Sequence, residues 1–298
     1  MEIDTNTKTY VVTGATSGIG LATAEALARA GASVIGVGRS AERCRDAEQR
    51  LQSLNPRAQY HYLLADLSSQ AEVNRLADQI FDLLAAQGKS SLDGLVNNAG
   101  TFTYWLSMNP AGIEMQWAVN HLAPFHLTLR LLPLLKSASF ARVVTVSSDS
   151  HYSGRMNWED LQLRRHYNGL QAYGNTKLAN ILFTLALNQR LGASSSVRAF
   201  AVDPGLVKTD IGMKGTPAIV RWAWGMRRSG GTPPEVPARG IVYLLTDPAL
   251  QDSTELYWKD SHPKRASRFA QDALSASRLW AISGKMCGLR EEVEYGTL

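Results

Sequence analysis

The chain has little cysteine, no block of like charges and no long apolar stretch. Of its 298 residues only Cys44 and Cys287 are cysteines, which excludes a disulfide framework and a cysteine-based metal site. The six histidines show no ligand spacing, so we expect no metal. No apolar run approaches the ~20 residues that cross a bilayer, and the start, MEIDTNTKTY, is too polar and acidic for a signal peptide. We therefore expect a soluble, cytoplasmic protein.

The charge balance is mildly basic, with a formal net charge of +5. This suits an anionic ligand. Because lysine and arginine are spread along the chain rather than clustered, the pattern does not predict binding to nucleic acid. The hydrophobic share of 45% is typical of a globular protein with a sizeable core.

Short β-rich runs alternate with longer helical patterns from residue 9 to about residue 205. This alternation predicts an α/β, Rossmann-type doubly wound parallel sheet of about seven strands with helices on both faces. No linker or repeat divides the chain, so we expect one domain over residues 1–298. We expect a substrate lid at about 205–235 and a C-terminal extension at about 259–298. The pattern locates six strands, at 9–14, 32–38, 60–65, 92–98, 141–148 and 197–205.

The first predicted strand runs into TGATSGIG, which leads directly into a helical pattern. Glycine lets a backbone approach a pyrophosphate closely, and the helix N-terminus supplies free N–H groups and partial positive charge. The strand–glycine–helix order therefore favours a dinucleotide site over a simple tight turn. The loop residues expected to contact the cofactor are Gly14, Thr16, Ser17, Gly18, Ile19 and Gly20.

The tip of the second strand bears on the choice between NAD and NADP. An acid there would bind the ribose hydroxyls of NAD, whereas an arginine accepts the 2′-phosphate of NADP. The chain has Gly38-Arg39-Ser40, with Arg43 one helical turn further on and no acid at the tip. We therefore predict NADP(H), bound by Arg39, Ser40 and Arg43. The alternative is that Arg39 is a solvated cation at the start of a helix.

Tyr173 and Lys177 lie four positions apart at the head of a helical pattern, and so on one helix face. Such pairs are common on helix surfaces, and the spacing alone indicates little. A nearby ammonium group, together with the positive charge of an oxidised nicotinamide, would lower the pKa of a tyrosine hydroxyl. The hydroxyl could then exchange a proton with a carbonyl oxygen.

Seven short motifs occur in an order that resembles the short-chain dehydrogenase/reductase family. In chain order they are TGATSGIG, ADL, NNAG, VN, SS, YGNTK and DPGLVKT. The stretches SSDSHYSGRMNWEDLQ, AYGNTKLANILFT and STELYWKDSHPKRASRFAQDALSASRLWAIS are most similar to the retinol dehydrogenase-like branch. The resemblance covers residues 8–210 well. It implies a Rossmann fold, a nicotinamide cofactor and an oxidoreductase that interconverts a carbonyl compound and an alcohol.

The resemblance implies four catalytic residues. Tyr173 would exchange the proton, and Lys177 would bind the nicotinamide ribose and tune Tyr173. Ser148 would hydrogen-bond the substrate oxygen, and Asn120 would hold a water that connects Lys177 to solvent. Ser148 is preferred to its neighbour Ser147 by its place in the motif, and adjacent strand residues point to opposite faces.

Asn120 falls within a helix expected at about 113–136. Pro133 should end or kink the last turns of this helix. Ala123-Pro124 departs from the retinol dehydrogenase-like branch, which more often has a glycine and a histidine there. We expect this departure to bend the helix and to leave Asn120 in register.

The remaining cofactor contacts are implied at three strand ends. Asp66 can begin or cap the helix after the third strand, or bind the adenine amino group, and the two roles are compatible. NNAG would place its backbone beside the adenosine and ribose, and DPGLVKT would contact the nicotinamide carboxamide. The residues are Asp66, Leu67, Asn98, Ala99, Gly100, Pro204, Gly205, Val207 and Thr209, together with Tyr173 and Lys177.

Aromatic and apolar residues gather in the segments expected beside the substrate. They favour a lipophilic or polycyclic small-molecule carbonyl or alcohol, although core packing explains each tryptophan equally well. In AIVRWAWGMRR the arginines that flank the tryptophans also allow peripheral membrane contact, a less favoured alternative. His151 is expected to shape the pocket rather than act as a base. The other residues are Trp105, Met108, Tyr152, Trp158, Trp222, Trp224 and Met226, with Arg221, Arg227 and Arg228 as the flanking cations.

Two other functions and one assembly stay open. A nucleotide-sugar epimerase or dehydratase has the same fold, but the short lid and the TGxxxGxG and NNAG motifs disfavour it. A catalytically silent NADP-binding sensor or scaffold is disfavoured because all four catalytic residues are present. The family often pairs through two long helices, here at about 113–136 and 171–191, so a homodimer is an open alternative.

Overall fold

The computed structural model of the chain describes residues 8–207 and 231–289. In these ranges the strands are β1 Thr9–Thr13, β2 Ser33–Gly38, β3 Tyr60–Leu64, β4 Gly94–Asn97, β5 Ala141–Val146, β6 Val197–Val202, β7 Tyr257–Lys259 and β8 His262–Pro263. They form one eight-stranded sheet in the order β3-β2-β1-β4-β5-β6-β7-β8. All neighbours from β3 to β7 pair in parallel, and β8 pairs antiparallel with β7. The predicted doubly wound sheet is confirmed, with one strand more than expected.

Helices cover both faces of the sheet. Within the described ranges they are α1 Gly18–Arg29, α2 Ala41–Leu54, α3 Gln70–Ala86, α4 Met115–Trp117, α5 Ala123–Lys136, α6 Gly169–Leu191, α7 Glu235–Thr246 and α8 Ala273–Met286. One apolar core joins α1, α2 and α7 to the sheet, and a second joins α3, α5, α6 and α8 to the other face. Among these helices none is long and apolar enough to cross a bilayer.

The strands lie between these two cores, which explains their composition. Every residue of β1, TYVVT, and of β5, ARVVTV, is buried. Continuous β-branched runs of this kind are typical of parallel strands that are covered on both faces. Because the strand order reverses between β1 and β4, the carboxyl ends of these strands open into the crevice where such sheets bind ligands.

The helix predicted at 113–136 is interrupted at Asn120. A π-helical turn, Ala118–Leu122, joins α4 to α5, and its Ala123 N–H bonds to the Ala118 carbonyl. Pro124 has no N–H and cannot donate to the Asn120 carbonyl, so a regular α-helix cannot continue through this point. Turns of this type occur frequently at functional sites. The predicted effect of Pro133 is smaller, because α5 continues past it to Lys136.

The C-terminal helix α8 packs against the helices on which the homodimer prediction rests. Trp280 of α8 is buried, and its ring centroid lies 5.0 Å from that of Phe125 in α5 and 6.0 Å from that of Phe183 in α6. The Oγ of Ser283 lies 2.8 Å from Nε2 of His121 in the π turn. Helix α8 therefore covers part of the surface of α5 and α6, and the homodimer stays a prediction.

Candidate active site

The glycine loop between β1 and α1 is closely packed. Gly14 has a φ of +66°, and a Cβ on Gly20 would lie 2.3 Å from the Gly14 carbonyl oxygen. Neither position accepts a larger residue without strain. Ser17, the N-cap of α1, makes no side-chain cap bond, and the first turn carries no acid. The positive end of α1 and its N–H groups are therefore available to an anion, which fits a pyrophosphate.

Thr13, which the sequence analysis missed, fastens NNAG to this loop. Its Oγ1 accepts hydrogen bonds from the N–H groups of Asn98 and Ala99, both at 3.0 Å, and donates to the Val96 carbonyl at 3.2 Å. Asn98 Nδ2 donates in return to the Thr13 carbonyl at 2.8 Å. The hydroxyl residue directly before the first glycine of TGATSGIG was the signal that could have identified it.

The tip of β2 presents exposed cations. Arg39 and Arg43 are exposed, and neither makes an ion pair with any residue in the described ranges. Ser40 is the N-cap of α2 and accepts from the Arg43 N–H at 3.5 Å. Thr16 of the glycine loop lies against Gly38, since a Cβ there would lie 2.6 Å from Thr16 Cγ2. The tip of β2 and the glycine loop therefore form one surface.

Asp66 and Leu67 follow β3 in different environments. Asp66 is exposed, and its Oδ1 accepts from the Ser68 N–H at 2.9 Å. Ser69, not Asp66, caps α3, with its Oγ accepting from the Glu72 N–H, so the predicted capping role of Asp66 is wrong. Leu67 is buried in the core with 8% exposure, so only its main chain is available to a cofactor.

Tyr173 and Lys177 lie side by side near the start of α6. The Nζ of Lys177 is 5.3 Å from the Tyr173 ring centroid and donates to the Val146 carbonyl at 3.0 Å. Lys177 is buried at 4% exposure, whereas Tyr173 is partly exposed and packs edge-on against Phe102. The Tyr173 hydroxyl makes no hydrogen bond within the described part of the chain, so it can face a ligand.

The pKa values of Tyr173 and Lys177 are shifted in opposite directions from their ordinary values. Burial raises the pKa of the Tyr173 hydroxyl to about 12, and the negative charge of Asp203 adds to the rise. Burial lowers the pKa of Lys177 to about 8. The lowered tyrosine pKa that we predicted is therefore not found for the protein alone, because desolvation of the phenolate and Asp203 dominate. The prediction also counted on the charge of an oxidised nicotinamide.

Asn120 joins these residues to NNAG. Its Oδ1 accepts from the Thr101 N–H at 2.7 Å, and its Nδ2 donates to the Thr101 carbonyl at 2.9 Å and to Thr176 Oγ1 at 3.2 Å. A Cβ on Gly100 would lie 3.5 Å from Asn120 Oδ1 and 3.9 Å from Lys177 Nζ. The π turn, the end of NNAG and helix α6 therefore meet at one point.

The two serines after β5 face different ways, as strand alternation predicted. Ser147 is buried, and its hydroxyl donates to the Lys177 carbonyl at 2.8 Å. Ser148 is partly exposed, and its Oγ accepts from the Ser150 N–H at 3.2 Å. Ser147 thus fixes helix α6, which leaves Ser148 as the serine that can reach a substrate.

His151 lies inside the protein rather than at the rim of a pocket. Its Nδ1 is 2.8 Å from the Ser148 carbonyl, and its Nε2 accepts from the Ser267 N–H at 3.1 Å. Burial lowers the pKa of His151, although its bond to Ser148 opposes this. Because both ring nitrogens are engaged, His151 is a neutral structural residue that ties the C-terminal segment to the 3-10 helix Asp149–Ser153.

The loop after β6 is a tight turn around Asp203. Gly205 has a φ of +70°, and its N–H donates to Asp203 Oδ1 at 2.9 Å. The other carboxylate oxygen accepts from Lys264 Nζ at 2.8 Å. Pro204 and Val207 flank this turn, and Thr209 lies outside the described residues. Neither Asp203 nor Lys264 was predicted as a site residue.

The residues predicted on the substrate side divide into two groups. Trp105, Tyr152 and Met108 are exposed, at 65%, 42% and 36%. Trp158 instead packs against the core under Arg278, whose guanidinium carbon is 4.7 Å from its ring centroid. In the described ranges no three histidine, cysteine, aspartate or glutamate side chains are placed to hold a metal. The predicted residues Arg221, Trp222, Trp224, Met226, Arg227 and Arg228 lie outside the described ranges.

Comparison with known proteins agrees with this geometry. Residues 8–219 match the family model described as short chain dehydrogenase. Mouse retinol dehydrogenase 14 is 35% identical, over 95% of this chain and 86% of that protein. An uncharacterised protein from Mycobacterium paratuberculosis has a crystal structure with a TM-score of 0.72 and 33% identity, covering 97% of this chain and 96% of that one.

A more distant structure shares the fold. It is a short chain dehydrogenase from Shigella flexneri complexed with NADP, with a TM-score of 0.67 and 22% identity, covering 88% of this chain and 100% of that one. The family match and the retinol dehydrogenase relative support oxidoreduction between an alcohol and a carbonyl compound with a nicotinamide cofactor. The chain belongs to the short-chain dehydrogenase/reductase family.

Proposed function

We propose that this protein interconverts a lipophilic alcohol and its carbonyl compound with NADP(H), and that Tyr173 exchanges the proton. The observation that carries the proposal is the meeting of Tyr173, Lys177 and Asn120 beside NNAG. The adjacent glycine loop fits a dinucleotide pyrophosphate. The name of the relative retinol dehydrogenase 14 supports chemistry of the same kind.

Tyr173 has the protonation state that reduction needs. When bound, NADPH would supply a hydride to the carbonyl carbon, whose oxygen would then require a proton. With a pKa of about 12, the Tyr173 hydroxyl is protonated at neutral pH and can donate to that oxygen. In the oxidation direction the Tyr173 hydroxyl must first lose its proton. The Lys177 ammonium and the positive charge of the oxidised cofactor both favour the phenolate.

Lys177 and Asn120 would renew the Tyr173 proton. Because the pKa of Lys177 is lowered to about 8, it can lose and regain a proton near neutral pH. The side-chain amide of Asn120 is occupied by Thr101 and Thr176. Its main-chain carbonyl has no α-helical donor, because residue 124 is a proline and lacks an N–H group. We assign this carbonyl, rather than the side chain, the water that links Lys177 to solvent.

The tip of β2 supports NADP over NAD. Arg39 and Arg43 are exposed, and neither makes an ion pair with a described residue. Guanidinium groups bind phosphate through charge-assisted hydrogen bonds. An acid that would repel a 2′-phosphate is missing from the sequence GRS at this tip. Arg39 and Arg43 would therefore hold the 2′-phosphate, with Ser40 contributing through the turn that it caps.

Exposed apolar side chains support a lipophilic substrate. Trp105, Leu106 and Leu170 are 65%, 41% and 57% exposed. A Cβ on Gly169 would lie 2.4 Å from the Thr103 carbonyl oxygen, so the start of α6 contacts the loop that carries Trp105. Leu170 lies one helical turn before Tyr173 on α6, so the exposed apolar group formed by Trp105, Leu106 and Leu170 borders the start of this helix. We expect this group to receive the apolar part of the substrate.

The variant Tyr173→Phe tests the proposal. We expect kcat/KM to fall by about 10²–10⁴-fold, the usual contribution of a general acid, while NADPH still binds. Turnover is followed by NADPH absorbance with all-trans-retinal, a steroid ketone, a linear aldehyde and cyclohexanone, and binding by NADPH fluorescence. Tyr243→Phe, on α7 and on the other face of the sheet, is the matched control.

The outcomes separate the alternatives. An active Tyr173→Phe enzyme would refute the role of Tyr173. If the wild-type protein binds NADPH and turns over no compound of the panel in either direction, the sensor or scaffold is favoured instead.

A further inference from the structure

The segments that follow β5 and β6 each carry a carboxylate near their start, and the two carboxylates meet at one ammonium group. Asp203 follows β6, and only 1% of its side chain is exposed. Lys264 Nζ lies 2.8 Å from Asp203 Oδ2 and 2.5 Å from Asp149 Oδ1. Asp149 directly follows Ser148. Lys264 therefore joins the loop after β6, which is expected to contact the nicotinamide, to the loop that carries Ser148.

Lys264 is itself held in place from both sides. Its main-chain N–H donates to the Tyr257 carbonyl at 2.7 Å. Next to it, the Arg265 carbonyl accepts from the Tyr152 hydroxyl at 2.5 Å, and the Ser267 N–H donates to His151 Nε2 at 3.1 Å. The ammonium group is therefore preorganised between the two loops, and its place does not depend on a bound ligand.

Asp203 connects this cluster electrostatically to Tyr173. Burial disfavours ionisation of Asp203, but the Lys264 ammonium and the Gly205 N–H outweigh it, so the pKa of the carboxyl lies below its usual value. The resulting negative charge raises the pKa of Tyr173. Among the described residues Lys264 is the cation nearest to Asp203, since Lys259 Nζ is 3.9 Å away and 36% exposed.

The cluster contains other ionisable groups on each neighbouring element. Lys177 faces Tyr173 from α6. Neutral His151 faces Asp149 and Asp203 from the 3-10 helix. Burial raises the pKa of the Tyr257 hydroxyl, which therefore stays protonated near neutral pH. Among these groups only Lys264 contacts both carboxylates. The full set is Asp149, His151, Tyr152, Tyr173, Lys177, Asp203, Tyr257, Lys259 and Lys264.

We propose that Lys264 is a positioning residue for the proton exchange at Tyr173: it holds the loops after β5 and β6 together and offsets the negative charge of Asp203. The proposal rests on the proposed function, because it gives Lys264 its role through Tyr173. Without Lys264 the Asp203 carboxylate would oppose formation of the phenolate. Asp149 would also lose the contact that fixes the segment after Ser148.

A turnover-independent titration tests the charge relation. Tyr173 is replaced by 3,5-difluorotyrosine, whose phenol is more acidic and titrates where the protein stays folded, and its absorbance is followed against pH. In the background of Lys264→Met we expect the pKa of this phenol to rise by about one unit, because a nearby opposite charge has been removed from Asp203. Lys264→Arg should restore the value of the parent protein.

Two further variants complete the design. Lys259→Met, which removes the more distant cation, should move the phenol pKa by much less than Lys264→Met. Asp203→Asn should lower it, and adding Lys264→Met to Asp203→Asn should raise it again. The double variant has no unpaired carboxylate at position 203. Comparing it with Asp203→Asn therefore tests the effect of Lys264 on the phenol pKa even if Lys264→Met alone does not fold. An unchanged phenol pKa in both Lys264→Met backgrounds would overturn the proposal.

The pH profile of alcohol oxidation distinguishes this proposal from the proposed function. With natural Tyr173 and all-trans-retinol as the probe, Lys264→Met should move the rising limb of kcat/KM to higher pH by the same shift. A purely structural role would lower the rate without moving the limb, and would contradict the proposal. If retinol and the rest of the panel are not turned over, the proposed function fails, whereas the titration still measures the action of Lys264.

Discussion

The cofactor side and the catalytic side of the crevice are built in different ways. On the cofactor side, glycines bring main chain against main chain, and a Cβ on Gly20 would meet the Gly14 carbonyl at 2.3 Å. On the catalytic side, charged side chains are buried, as with Lys177 at 4% exposure and Asp203 at 2%. The contact between Gly14 and Gly20 on the first side joins residues of one short loop, whereas Lys264 reaches Asp149 across 115 positions.

This difference separates two kinds of constraint. A dinucleotide needs backbone N–H groups and space, which a short local motif can supply. Proton exchange needs ionisable groups with altered pKa values, which require burial and therefore the whole fold. We therefore expect the protein to lose activity when a charge is removed on the catalytic side, or when an atom is added on the cofactor side.

The largest expected effect comes from removing the buried charge in Lys177→Met. We expect kcat to fall by about 10²–10⁴-fold, as for loss of an acid–base group. The free energy of unfolding should rise at pH 7 by on the order of 3 kcal/mol, because an ammonium whose pKa falls from 10.5 to about 8 opposes folding. Steady-state kinetics and urea unfolding measure the two effects.

The pH dependence of that gain has a defined sign. Between pH 8 and 10.5 the unfolded chain holds the Lys177 proton and the folded protein does not, so wild-type stability rises with pH through this window. Lys177→Met has no ammonium group at this position, so its free energy of unfolding does not gain from this deprotonation. The difference in stability between the variant and the wild type should disappear by about pH 10.5. A variant that is less stable than the wild type at pH 7 would show that the bond to Val146 outweighs the cost of burial.

Adding one carbon in Gly20→Ala should act mainly on cofactor binding. The new Cβ has no room beside Gly14 and Asn98, and overpacking of this kind costs about 1–3 kcal/mol. We expect NADPH affinity, measured by fluorescence titration, to fall by roughly tenfold to a hundredfold. Gly240→Ala in α7, where the nearest atom is 3.5 Å from the new Cβ, should bind NADPH as the wild type does. Equal affinities for the two variants would remove the steric basis of the comparison.

A smaller effect is expected for Arg39, through which the cofactor side would bind its ligand by charge. Arg39→Asp should shift the ratio of kcat/KM for NADP over NAD toward NAD by about tenfold or more, since a hydrogen bond to a charged group contributes about 1.5–3 kcal/mol. Arg45→Asp, also exposed on α2, is the control for net charge. If the ratio is the same in both variants, Arg39 does not contact the 2′-phosphate.

The sequence was sufficient for the features that depend on local pattern. Alternating strands and helices predicted the positions of the first six strands along the chain, and the glycine spacing predicted the loop at Gly14 and Gly20. Strand alternation separated Ser147 from Ser148 before their contacts were known. In each case the residues that determine the feature lie next to each other along the chain.

The remaining features depend on contacts between distant segments. Lys264 and Asp203 have no motif in common, and only the return of the chain at β7 brings them to 2.8 Å. The spacing of Tyr173 and Lys177 contains no information about burial or about Asp203, both of which raise the pKa of Tyr173 in the protein alone. The short strand β8 has two residues, too few for a periodic pattern.

The position of α8 has a consequence for protein synthesis. Helix α6 packs against Trp280 of α8, which is translated about a hundred residues after Tyr173 and Lys177. The hydrogen bonds that join the glycine loop to NNAG, by contrast, are made by Thr13, Asn98 and Ala99, all within the first hundred residues of the chain. A nascent chain can thus form its cofactor loop on the ribosome long before its catalytic helix is packed.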